Sequence, residues 1–156
     1  MKRDPRLRDL SDDHHTGLVL ARRCKQATRA KSASPPDAVW AELRAVFVRD
    51  LEPHFRIEEQ HLVPALEAIG EAALASRIRE DHDALRSLRD SEAATAAELQ
   101  RFGELLQAHI RFEERQIFDP TQDRLPPSAL EAIARACRDE RQASGRSCNV
   151  EAARPR

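Results

Sequence analysis

HFRIEEQHLVP, running from His54 to Pro64, decides how the rest of the chain is read, because it sets an imidazole and a carboxylate four residues apart. On an α-helix that spacing is about one turn, or ~6 Å of rise, so His54 and Glu58 leave the same face. A near copy, HIRFEERQIFDP, occupies His109 to Pro120. His54 matches His109, Glu58 matches Glu113, Glu59 matches Glu114, and Leu62 and Val63 match Ile117 and Phe118. One His-x-x-x-Glu pair is commonplace on a solvated helix face. A second in the same local setting is a far stronger signal.

Composition points to helices around such a pair. The chain has 156 residues and 17.7 kDa, enough for one domain with a real core. Only 4 Gly and 34% charged residues, in a sequence rich in Ala, Leu, Arg and Glu, favour helices with solvated outer faces, so the fold class expected is all-α. A formal net charge of -1 gives no electrostatic basis for binding nucleic acid or an acidic membrane. The start, MKRDPRLRDLSDDHH, lacks the apolar stretch of a signal peptide, and three scattered cysteines make no disulfide framework; a reducing, cytoplasmic setting is expected.

In order along the chain, Leu10, His14, Leu18 and Ala21 predict a first helix from Leu7 or Leu10 to Lys31, with His14 on its apolar stripe. His15 sits about 100° round the cylinder and takes second place as a ligand. Ser34 is the expected N-cap of the second helix, with Pro35 at its first position and Asp37 in its first turn. That helix carries Trp40, Leu43, Phe47, Leu51, His54, Phe55, Glu58 and Leu62, and Pro53 predicts a kink or break just before His54. Pro64 repeats the problem ahead of a short continuation to Ile69, where Gly70 suits a left-handed cap. A third helix from Glu71 into the low nineties places His82 among Leu74, Ile78 and Leu85. A fourth, capped by Asp90, Ser91 or Thr95, carries Leu99, Phe102, Leu106, His109, Phe112, Glu113 and Ile117 and is ended by Asp119 and Pro120. Ser128 to Gln142 reads as a short fifth helix, giving a domain over 1–142 and a disordered tail over 143–156.

An independent geometric check brings these histidines together. In an antiparallel hairpin, residues at one level are equally far from the turn. The midpoint of His14 and His54 is Ser34, that of Glu58 and His82 is Gly70, and that of His82 and His109 falls beside Thr95. An up-down-up-down four-helix bundle therefore puts four imidazoles and two carboxylates in one layer. Left bare there, they would cost several kcal/mol. A metal resolves the cost, and iron, zinc, copper, nickel and manganese all accept imidazole with carboxylate. Six donors exceed a closed structural zinc site, so two metals fit better, each with two histidines and with Glu58 and Glu113 between them.

Other residues read more blandly. His61 shares nearly the same stripe, but its counterpart in the repeat is Gln116, so it belongs around the ligands or in solvent. Glu59 and Glu114 lie about 100° from the ligand carboxylates, at the surface or accepting from the second ring nitrogen of a ligand histidine. Cys24 is roughly 15 Å along the helix from His14 and reads as core, as does Cys137. Cys148, in the tail, is a free thiol.

DDHH at 12–15, HFRIEE at 54–59, EDH at 80–82 and HIRFEE at 109–114 resemble the hemerythrin-like, or HHE cation-binding, family from about Leu10 to Pro120. The resemblance implies a non-haem centre of two iron ions with an oxo or hydroxo bridge, terminal ligands His14, His54, His82 and His109, and bridging Glu58 and Glu113. The acidic residue before His14 and before His82 supports His14 over His15. The chain departs from the oxygen carriers of that family, which have two histidines one turn apart on the third helix. Here Ile78 and Arg86 flank His82 at that distance, and Glu113 follows His109 by four residues where the carriers have an aspartate at five. The pattern looks more like the branch that includes iron sensors, nitric-oxide-responsive proteins and proteins implicated in repairing iron centres. It implies a protein that binds or senses oxygen, nitric oxide or peroxide, a sensor acting through protein partners in trans. The alternatives are a di-iron enzyme acting on peroxide or nitric oxide, or iron storage or delivery.

Overall fold

Five helical rods form the molecule in the computed structural model, which describes residues 2–145. Helix α1 is Arg8–Ala27, preceded by the 3-10 turn Pro5–Leu7. Helix α2 spans 36–68, α3 is Ala72–Arg89, α4 spans 96–121 and α5 is Pro127–Ala143. No strand occurs among the described residues, and none of their helices is long and apolar enough to cross a membrane. Cys148 and most of the expected disordered tail lie outside the described residues.

The prolines do not break the helices. Pro53, Pro64 and Pro120 are each preceded by a π turn, respectively Phe47–Leu51, Glu58–Leu62 and Glu113–Phe118. Each turn ends two residues before its proline. In a regular α-helix the proline ring clashes with the carbonyl four residues back. Shifting to wider i→i−5 bonds, such as Glu52 N–H to Phe47 O and Val63 N–H to Glu58 O, relieves the clash without ending the rod. Of the kink or break expected before His54, the break is absent and a π turn takes its place, and α4 continues past Asp119 and Pro120 to Thr121.

Local chemistry sets the other ends. Gly70 takes φ +86 after α2, and Thr95 and Glu98 form a reciprocal capping box at the start of α4. Helix α1 stops at Ala27, four residues before the expected Lys31, and the Thr28 hydroxyl donates back to Lys25 O. Pro35, not Ser34, is the N-cap of α2, and Pro36 takes its first position. Asp37 lies in the first turn, as the sequence predicts.

Two apolar cores flank a polar layer. One gathers Leu10, Leu62, Ile78 and Phe118 with Leu130 and Ile133 of α5; the other gathers Leu20, Trp40, Phe47, Leu85 and Phe102. Between them α1 lies against α4 at unusually short range. A Cβ on Gly103 would meet Ala21 O at 2.7 Å, and one on Gly17 would meet Ile110 Cδ1 at 2.7 Å. Gly17, not Leu18, faces inward; Leu18 is exposed because the α1 stripe turns toward α4. That approach brings His14 to the Glu113–Glu114 segment.

Candidate metal centre

His14 on α1, His54 and Glu58 on α2, His82 on α3, and His109 and Glu113 on α4 are all buried and meet in the layer between the cores. Each is delivered by the apolar stripe of its helix, where it replaces a hydrophobic residue at helical spacing. Glu58 and Glu113 each open a π turn, a local widening often found at functional sites.

Each carboxylate divides its two oxygens between two groups of histidines. Glu58 Oε1 is 3.1 Å from His54 Nε2, and its Oε2 is 3.2 Å from His82 Nε2. Glu113 Oε2 is 3.1 Å from His14 Nε2, and its Oε1 is 3.3 Å from His109 Nε2. These approaches lack hydrogen-bond geometry: all four carboxylate oxygens and His14 Nε2 are buried with no hydrogen-bond partner. His82 Nε2 and His109 Nε2 lie within hydrogen-bond distance of each other at 3.2 Å, but the carboxylate oxygens and His14 Nε2 converge without a bond, at a cost of several kcal/mol unless something else binds them. His14, His54, Glu58 and Glu113 form one group, and Glu58, His82, His109 and Glu113 the other; within each, the donor atoms lie within 4.8 Å of one another. Bonds of about 2 Å to a common ion put donors roughly 3–4 Å apart, so each group needs only a small contraction to fit a transition metal of imidazole and carboxylate preference.

Each of the four imidazoles also has a carboxylate at its other nitrogen. His14 Nδ1 pairs with Glu114 at 2.7 Å, His54 Nδ1 with Asp13 at 3.3 Å, His82 Nδ1 with Glu59 at 2.7 Å and His109 Nδ1 with Asp81 at 3.2 Å. An Nδ1–H donated to these acceptors leaves Nε2 free as the donor atom toward the centre. The sequence named Glu59 and Glu114 but gave no role to Asp13 and Asp81. Their signal was present in the acidic residue before His14 and before His82, yet each serves the histidine of a neighbouring helix, which spacing within one helix cannot reveal.

His15 is exposed on α1, outside the cluster, and His61 is half-buried and belongs to neither group. Cys24 and Cys137 are free and buried in the cores.

The electrostatics are those of a site built to hold positive charge. Burial pushes the His14 imidazole down, but Glu113 and Glu114 outweigh it and bring its pKa up to about 8. Burial likewise opposes charge on His82, which Glu58 and Glu59 raise to about 9, and on His54, which Glu58 and Asp13 raise well above the usual imidazole value. Against burial, His82 and Arg86 draw the Glu59 carboxyl down to about 2, and His14 and Ser11 do the same to Glu114.

Rings complete the walls. Phe55 stacks on His82 with centroids 3.9 Å apart, and Phe118 lies parallel to His14 at 5.6 Å. Beside His14 and His54 a void of about 10 Å³, lined also by Asp50, Leu51 and Leu106, has room for about one water molecule.

The sequence model of the hemerythrin HHE cation binding domain matches residues 7–119, a span that contains every residue of the centre. No curated protein and no solved structure matches the chain significantly.

Proposed function

We propose, for a chain that belongs to the hemerythrin HHE cation-binding family, a non-haem protein that holds two iron ions with an oxo or hydroxo bridge and binds or senses a small ligand: oxygen, nitric oxide or peroxide. The observation that carries the reading is the division of the Glu58 and Glu113 oxygens between two histidine pairs, with no hydrogen bond to satisfy them. His14, His54, His82 and His109 would be terminal ligands and the two glutamates bridges. Helices α1 to α4 are read as an antiparallel up-down-up-down bundle around them, with α5 over one core.

When bound, the metal pair supplies redox equivalents and a Lewis-acidic coordination position for the small ligand. The protein's part is positional. Asp13, Glu59, Asp81 and Glu114 hold each imidazole by Nδ1, so that Nε2 presents its lone pair. The two cores exclude water, and the void beside His14 and His54 limits what enters to a molecule of a few atoms. Arg86, one turn beyond His82, is drawn away to Glu52 and Glu59 and offers no further ligand, so that half of the centre has one imidazole fewer than in an oxygen carrier. That difference favours sensing over reversible carriage.

Anaerobic reduction of the iron-loaded protein followed by oxygen, nitric oxide or peroxide tests the reading. A stable adduct formed once per centre is the expected result. Consumption of many equivalents of peroxide or nitric oxide would replace it with the enzymatic alternative, and iron release to an acceptor with storage, delivery or repair.

A further inference from the structure

The Nδ1 partners of the four imidazoles repeat when α1 and α2 are exchanged with α3 and α4, and one departure from that repeat lies behind the Glu59 and Glu114 carboxylates. Glu59, which holds His82, is itself held by Arg86 of α3 at 2.8 and 3.2 Å. That arginine is tied in turn to Glu52 at 3.0 and 3.1 Å and lies over the Phe55 ring. Among the described residues, Glu114, which holds His14, has no ion pair with an arginine of the bundle helices. Its guanidinium is that of Arg3, in the segment before α1, joined by the Ser11 hydroxyl at 2.6 Å. Arg3 also pairs with Asp119 at 3.1 Å and covers Phe118, the ring stacked on His14. Gln122 pins this segment, accepting from Asp4 N–H at 2.8 Å and donating to Lys2 O at 3.2 Å.

We infer that residues 2–6 are a tether that controls exchange of the metal held by His14 and His54, with Arg3 as a positioning residue acting through Glu114. The inference rests on the metal reading above. Arg86 can leave Glu59 only if α3 or its own side-chain network opens. Arg3 sits in a short strap outside the main helices, held by a handful of bonds, and such segments open at far lower cost than the core. When the strap lifts, Glu114 loses its counter-charge, the Phe118 face is uncovered and the His14 imidazole loses its fixed orientation. The two metals are then equal in ligands but unequal in lifetime, and the His14–His54 ion is the first to leave and the last to be secured.

Cobalt(II)-loaded protein challenged with excess chelator, followed by its visible absorption, tests this. Wild type should release metal in two phases of similar amplitude. Arg3→Ala should speed the faster phase by up to about 10-fold, the low end of the effect of removing a direct partner of a metal ligand because Arg3 acts one residue further out, and leave the slower one alone. Gln122→Ala, which loosens the strap without touching the centre, should act in the same direction, and Arg86→Ala should speed the slower phase. Release in one phase, an unchanged fast phase in both strap variants, or equal acceleration of both phases would overturn the tether. A protein that takes up no cobalt at all would instead remove the metal reading on which it rests.

Discussion

His14 and His15 are adjacent in sequence and opposite in environment, which separates the proposed ligand from its neighbour. His14 has a buried position, a carboxylate at Nδ1 and a second at Nε2; His15 is exposed. The same test singles out Asp13 and Asp81, whose carboxylates fix His54 and His109. Asp13→Asn or Asp81→Asn should weaken metal binding about 10–100-fold, because an amide holds the imidazole less firmly and lowers its basicity. His15→Ala should leave affinity unchanged. Competitive titration against a chelator of known affinity distinguishes the three, and a His15→Ala loss equal to that of Asp13→Asn would contradict the assignment.

Helix α1 reaches the centre because two glycines let it approach α4. The rigid neighbour is at Gly103, whose added Cβ would press on the Ala21 carbonyl oxygen at 2.7 Å, whereas at Gly17 the flexible end of Ile110 can yield. Gly103→Ala should therefore destabilise the protein by about 1–3 kcal/mol, as overpacking does, despite alanine's better helix propensity. Thermal unfolding measures this, and a raised melting temperature would show that the helices have slack. The sequence made most of the element map legible: Gly70 declared one turn, Thr95 was one of three candidates for another, and the histidines at apolar positions declared the inward faces. It located the distortion before Pro53 but allowed for a break that does not occur, and it ended the fourth helix at Asp119 and Pro120, which the rod passes. Tertiary packing keeps those rods continuous, and the strain appears as the π turns that begin at Phe47 and Glu113, with a third at Glu58 ahead of Pro64. The pairing of Asp13 with His54 was not legible either, because it depends on how two helices sit side by side.

Across the whole molecule, metal and protons compete for one buried layer. Without metal, His14 and His82 are held charged up to about pH 8 and 9. Imidazoles raised above their unfolded value stabilise the fold fully below about pH 6.5, and that stabilisation is lost as pH rises through 8 to 9. Glu59 and Glu114, depressed to about 2, have the opposite sign: their contribution is present above about pH 4.5 and is lost as pH falls toward 2. Metal-free protein should thus be most stable from about pH 4.5 to 6.5 and lose stability on either side. Metal binding near neutral pH should release protons, because the imidazoles must give them up to coordinate. Unfolding against pH and calorimetry in buffers of different ionisation enthalpy read these two effects, and a metal-free protein most stable above about pH 9 would reverse the sign.

The most direct measurement is metal content per chain together with the visible spectrum of the purified, iron-loaded protein before and after reduction. Two irons per chain with an oxo-bridged ferric absorption that bleaches on reduction and returns on reoxidation is the predicted result. One zinc per chain, or no metal retained after anaerobic iron loading, would contradict a paired-iron centre and leave the buried carboxylates of Glu58 and Glu113 to be satisfied in some other way.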